Sequence, residues 1–178
     1  MRSLQEAIGR ELTWKPRSLL SHTHDLVDPQ SGDAEPWATL AWRAGLLMRA
    51  PAEAQSGDGI WHFRRRGFFR ENVLVFAPDG TTPVATLKRS WRHGTLRFED
   101  GREFTWRREA FWRLSWRFED ANGNAVVRLH WRFSLPRSTA RVEFESSAAP
   151  VGDLALLACL GWYLVLLSHR RAVAHGAS

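Results

Sequence analysis

The chain has 178 residues, 44% of them apolar and 25% charged, which excludes wholesale disorder and suits one domain, residues 1–178, with a real core. Its net charge of +6 comes from 25 basic and 19 acidic residues, and with Lys15 and Lys88 the only lysines, 23 of the basic residues are arginine. A single cysteine, Cys159, excludes an internal disulfide and a multi-cysteine metal site, while ten Trp and ten Phe require a thick interior or an aromatic surface. The arginine bias is what a GC-rich bacterial genome produces; it also suits bidentate phosphate binding.

The first fifteen residues, MRSLQEAIGRELTWK, contain no apolar h-region, so no secretory signal is expected and a cytoplasmic location follows by default. Strands are expected around Leu12–Trp14, Asp25–Val27 and Thr39–Leu47. The segments Asp28–Pro36 (DPQSGDAEP) and Pro51–Gly59 (PAEAQSGDG) read as surface loops. His22-Thr-His24 would set two imidazoles on one strand face, but no third ligand accompanies them and no metal is expected.

From Trp61 onward the apolar pattern has period two. Turn signals at Pro78-Asp79-Gly80, His93-Gly94, Asp100-Gly101, Asn122-Gly123 and Leu135-Pro136 punctuate it. Their spacing of roughly 10 to 14 residues is that of an all-β sandwich or barrel. Strands are expected around Ile60–Arg64, Val73–Phe76, Val84–Leu87, Thr95–Phe98 and Glu103–Trp106, then Trp112–Phe118, Val127–Phe133 and Arg141–Glu145, about eleven in all. A two-residue type I′ loop at Asn122-Gly123 would pair Trp116 with Leu129 and Phe118 with Val127, apolar on apolar throughout. The next hairpin is expected to pair Phe133 with Val142, setting Arg132 against Glu143 and His130 against Glu145.

Leu154–Leu167 (LALLACLGWYLVLL) is a run of 14 apolar or glycine residues between Asp153 and Ser168-His169-Arg170-Arg171. As a helix it rises about 21 Å, short of a ~30 Å hydrocarbon core. A helix apolar on every side must be covered on every side. The expectation is therefore a mainly β chain, a closed antiparallel barrel enclosing a C-terminal hydrophobic α-helix at about 153–169. The alternatives are a tail anchor over 154–167 and an oligomer interface; the sequence sets no oligomeric state.

Successive hairpins with Gly-Asp-type turns, with PVATLKRSW (Pro83–Trp91), FEDGREFTW (Phe98–Trp106), FEDANGNAVVRL (Phe118–Leu129) and then the apolar helix, make Trp61–Arg171 resemble the tubby C-terminal-like fold. That fold covers tubby domains, phospholipid scramblases and LURP-one-related proteins. The resemblance implies a closed twelve-strand barrel around the helix. Tubby domains bind phosphoinositide headgroups through a Lys-x-Arg on a strand, and Thr86-Leu87-Lys88-Arg89 does not reproduce that spacing. The scramblase calcium segment and Cys-rich region are absent from the sequence.

The candidate sites are basic. Arg64, Arg65, Arg66 and Arg70 flank Phe68 and Phe69, which could insert into a headgroup layer or pack in the core. A second cluster is Lys88, Arg89 and Arg92. The outward face of the central hairpin would carry Arg113 opposite Arg132 and Arg117 opposite Arg128, like charges that need an anionic neighbour. That neighbour is either a lattice of internal counter-charges or a phosphate. No nucleophile–base motif, P-loop or dinucleotide fingerprint appears, so neither an enzyme nor a cofactor is expected. The function expected is a non-enzymatic binding module that meets an anionic phospholipid headgroup, as a peripheral membrane protein, or a protein partner. Nucleic-acid binding is the alternative, weakened because the tryptophans alternate as core residues do.

Overall fold

The computed structural model describes residues 1–18, 21–32, 35–42, 51–67, 72–89, 93–109, 114–134, 137–145 and 153–176. After a short 3-10 turn at Leu4–Ala7 come the strands β1 (Glu11–Pro16), β2 (Thr23–Val27), β3 (Ala38–Trp42), β4 (Ala52–Ser56), β5 (Gly59–Arg66) and β6 (Asn72–Phe76). Then follow β7 (Ala85–Arg89), β8 (His93–Phe98), β9 (Glu103–Arg108), β10 (Ser115–Glu119), β11 (Ala125–Ser134) and β12 (Arg137–Phe144), and last the helix α1 (Leu154–Gly176). Every strand pairs antiparallel with its neighbour in sequence. β1 pairs with β12, Leu12 opposite Val142 and Trp14 opposite Ala140, which closes the barrel and leaves no open edge.

The strand absent from the sequence expectation is β4. Its sequence, Ala-Glu-Ala-Gln-Ser, lacks the aromatic and β-branched residues that mark strands, and Pro51–Gly59 was expected to be loop. The small residues have a packing reason. Ala52 stands between Trp42 and Phe63 in the ladder, and the ring of Tyr163 lies 5.8 Å from Trp42 and 5.3 Å from Phe63. Residues 43–47 of the expected third strand, and Trp112 and Arg113 of the expected strand Trp112–Phe118, lie outside the described residues.

The hairpin β10–β11 has the expected register, Trp116 opposite Leu129 and Phe118 opposite Val127, but another turn produces it. Gly123 donates its N–H to the Asp120 carbonyl at 3.0 Å, and only Gly123 has positive φ, 82°. That is a type I turn followed by a left-handed glycine, not the type I′ loop expected of Asn122-Gly123. The three-residue loop shifts the register by one, and a bulge between Phe118 and Glu119 shifts it back. The bulge also turns both Val126 and Val127 into the core.

The β11–β12 pairing differs from expectation. Leu129 faces Val142 and Trp131 faces Ala140, with Arg128, not Arg132, opposite Glu143 and Arg141 opposite His130. Arg132 faces Thr139. The pairing runs up to Ser134 opposite Arg137, so the connection is as short as a hairpin permits. The offset from expectation is an even number of residues, so inward residues stay inward.

Leu154 through Leu167 lie inside this wall, all buried, so the run is enclosed by protein and is not offered as an anchor. Among the described residues no helix is long and apolar enough to cross a membrane. α1 continues past the apolar run to Gly176, further than the expected end near 169. Successive helical residues point about 100° apart and meet successive sectors of the wall. At Gly161 a Cβ would stand 2.8 Å from Leu129 and 3.3 Å from Trp106. The ring of Trp162 stacks on Trp14 at 6.3 Å and meets His24 edge-on at 5.5 Å, and Tyr163 fills the sector of Trp42 and Phe63.

Two predictions test the enclosure. Gly161→Val should cost about 1–3 kcal/mol in urea unfolding, because a Cβ at this position already crowds Leu129 and Trp106. Cys159 is fully buried, and burial, with Asp58 adding to it, pushes its thiol pKa up. At about pH 8, near the ordinary thiol value, a thiol reagent should react only as fast as the barrel opens; immediate modification of the folded chain would contradict the buried helix.

Candidate functional site

A meander sends all odd strands toward one rim and all even strands toward the other. α1 enters near the β8–β9 connection, where Asp153 pairs with Arg102 and Leu156 lines a shallow cleft of about 430 Å³ with Phe98, Glu99 and Asp100. It leaves where odd strands end: Arg89, the last residue of β7, donates to Ser168 Oγ at 2.5 Å, and Trp131 of β11 meets the His169 ring edge-on at 4.7 Å. These ends are the entry rim and the exit rim.

The described basic residues of the two sequence clusters gather at the exit rim, at the ends of β5 and β7. Alternation then divides them. Arg64, Arg66 and Lys88 point outward and are exposed, as is Arg132 on β11. Arg65 and Arg89 fall on the inward parity beside Phe63 and Leu87 and are half-buried in the barrel mouth. Arg107, exposed at the end of β9, joins this rim and was missed from sequence. Arg70, Arg92 and Arg113 lie outside the described residues.

Arg117 and Arg128 belong instead to the barrel wall, facing each other across the ladder as expected. Their charges are answered internally. Glu109 sits 3.6 Å from Arg117 and 2.9 Å from Arg128; Glu119 lies 2.5 Å from Arg117 and Glu145 2.6 Å from Arg128. Ser115 donates to Glu109 at 2.6 Å, and Arg141 pairs with Glu143 at 2.8 Å and Glu11 at 3.3 Å. The wall is therefore a lattice of counter-charges, built from Glu109, Glu119, Glu143 and Glu145; His130 meets Glu143 at 3.3 Å instead of the expected Glu145, and Arg132 faces Thr139 instead of Glu143. The signal for it was Glu109 just after β9 and Glu119 at the end of β10, brought together by the β9–β10 pairing.

The entry rim has the opposite sign. Asp28, Asp58, Asp79, Asp100 and Asp120 each stand in a connection that reaches it, and several shape the turns they occupy. Asp100 accepts the Arg102 backbone N–H at 3.0 Å, and Asp120 accepts those of Asn122 and Asn124 at 2.9 and 2.8 Å. Asp58 accepts the Leu4 N–H at 2.7 Å and so ties down the 3-10 turn across this end.

His22 and His24 do not act together. His22 is exposed and precedes β2, whereas His24 is buried against Trp42 and Trp162. Among the described residues no group of three metal-ligating side chains converges. No family model, curated protein or solved structure matches the chain.

Removing the shared counter-charge should be costly. Glu109→Gln leaves Arg117 and Arg128 facing each other half-buried, and a loss of about 1–2 kcal/mol is expected in chemical unfolding; an unchanged midpoint would show the lattice to be energetically idle. Acid should act on the entry-rim turns. The Arg102 N–H holds Asp100 below the ordinary carboxyl value, and the Asn124 and Asn122 donors hold Asp120 below it against an opposing burial effect. Both therefore stabilise the fold above their ordinary pKa of 3.8 and lose that contribution as pH falls through their lower folded values. Asp120→Ala should flatten the acid limb of a stability–pH profile; an unaltered limb would show that this turn does not titrate with folding.

Proposed function

We propose that the protein is a non-enzymatic binding module that engages anionic phospholipid headgroups through the exit rim. The observation that carries this is the sorting of charge along the barrel axis. The wall arginines Arg117 and Arg128 are matched by glutamates, and Arg107 shares Glu119 with Arg117, whereas Arg66, Lys88 and Arg132 stand exposed around one mouth. A ring of cations with the opposing charge held at the far rim makes a field that attracts and orients an anionic surface. Fold supports the reading only by analogy: kinship with the tubby C-terminal-like fold, which we also propose, is supported by the closed barrel of twelve strands and its central helix.

Nucleic acid is the lesser reading, because single-strand binders present stacking rings and among the described residues no tryptophan is exposed. Sedimentation with anionic and neutral vesicles over a salt series tests the proposal. Each cation near an anionic leaflet contributes about 1 kcal/mol, so Arg66→Glu/Lys88→Glu/Arg132→Glu should lower anionic-vesicle affinity at least about 100-fold, while Arg97→Gln on the wall leaves it unchanged. Equal binding to neutral vesicles, or none to either, would refute it. Quenching of tryptophan emission by single-stranded DNA, with no vesicle binding, would put nucleic acid first.

A further inference from the structure

We propose that the outer face of β7 and β8 carries a groove for an extended segment of a protein partner, with an acidic and a basic side chain four positions apart. This goes beyond headgroup binding and does not rest on it.

Two clefts adjoin on this side of the barrel. The first, of about 660 Å³, lies over the wall and is lined by Thr86, Lys88, Thr95 and Arg97. The second is the cleft of about 430 Å³ at the entry rim, with Trp61, Val84 and Leu156 in its apolar lining. Pro83, Phe98 and Glu99 line both, so the two run together as one groove from the start of α1 to Lys88. Strand pairing sets its layout. Lys88 faces Thr95 and Thr86 faces Arg97, all four on the outward parity. The Glu99 backbone N–H donates to the Val84 carbonyl at 3.2 Å, which sets Glu99 level with Val84, four residues along β7 from Lys88. At ~3.3 Å per residue those two levels of the groove are about 13 Å apart.

Charge narrows the occupant. Arg97 pairs with Glu103, and Arg102 with Asp100 and Asp153, so these groups answer one another. Lys88 and Glu99 are exposed, and among the described residues neither enters an ion pair. An occupant of the groove therefore meets one uncommitted cation and one uncommitted carboxylate. Nucleic acid, charged alike along its length, would set phosphate against Glu99. An extended peptide fits on three counts. Its side chains return to the same face every two residues, as do Thr86 and Lys88, or Thr95 and Arg97, beneath it. Opposite charges four positions apart share that face and span the interval from Lys88 to Glu99. The aliphatic stem of the basic residue has Pro83 and Trp61 to lie along while its head meets Glu99. The closed barrel offers no strand edge, so the segment is held by side chains and does not join the sheet.

The test uses the full chain and four acetylated, amidated pentapeptides in calorimetric titration. Two carry mixed charge, Glu-Thr-Val-Thr-Lys and its reverse Lys-Thr-Val-Thr-Glu, because side-chain recognition accepts either chain direction. The other two carry Glu at both ends or Lys at both ends. At least one mixed peptide should bind roughly tenfold more tightly than either single-sign peptide. Glu99→Lys, a change at an exposed turn position, should move the preference to the peptide with Glu at both ends. Lys88→Glu should move it to the peptide with Lys at both ends. Equal affinity for all four, or no binding of any up to about 1 mM, would overturn the groove. So would a preference of the unaltered chain for Glu at both ends, which would leave only an anion site at Lys88. Vesicle binding decides none of these outcomes, so the headgroup reading is tested separately.

Discussion

The structure depends on one requirement: a helix with no polar side has to be covered all the way round. No single sheet face can do this, because a sheet covers one stripe of a cylinder and leaves the rest to water. A wall that meets itself at β1 and β12 can. Filling it evenly then requires wall residues to be matched in size to whatever the helix presents to each sector. Gly161 lets Leu129 and Trp106 come close, Trp162 stacks on Trp14, and Tyr163 occupies the space that Ala52 leaves between Trp42 and Phe63. The alanines of β4, unremarkable as strand formers, are the counterpart of the aromatic rings they face.

A barrel of alternating up and down strands separates its connections into two groups by parity. In this chain that geometric sorting coincides with a chemical one. Along the wall, cations and carboxylates interleave closely, as Glu109 between Arg117 and Arg128 illustrates. At the two mouths the signs separate: Arg66, Lys88 and Arg132 stand exposed at one, and aspartates gather at the other, where Asp28 and Asp100 also pair with Arg10 and Arg102. An axial separation of charge costs some self-repulsion within each rim, and turn chemistry requires it only at the acidic end, where carboxylates accept backbone N–H groups.

Much of this was legible in the residues. The apolar run Leu154–Leu167 and the period-two segments after Trp61 specify a buried helix and its wall, because both patterns reflect how many faces of an element meet water. Register in β10–β11 was legible for a different reason from the one that operates. Pairing apolar with apolar fixes the strand offset, and the turn adapts through a bulge beside Phe118. The same criterion could not choose between even offsets in β11–β12, where every candidate kept the core faces together. β4 was illegible because its inward residues are small to suit Tyr163, a contact made far along the chain. Among the site residues, clusters such as Arg64–Arg65–Arg66 stand out in sequence, but which arginines are matched on the wall and which are left at a mouth depends on strand neighbours and parity.

The seam between β1 and β12 has a consequence for how the molecule comes into being. Leu12 meets Val142, and the helix that fills the interior follows still later in the chain. During synthesis the strands emerge one after another as a curling sheet whose greasy side has nothing to cover it, and the two ends cannot join around a core that has not yet been made. Such long-range contacts slow folding, and a half-built sheet with exposed edges is the kind of species that aggregates or is held by chaperones. Acquisition of the native state thus waits until β12 and α1 have been made, when the seam and the filling arrive together.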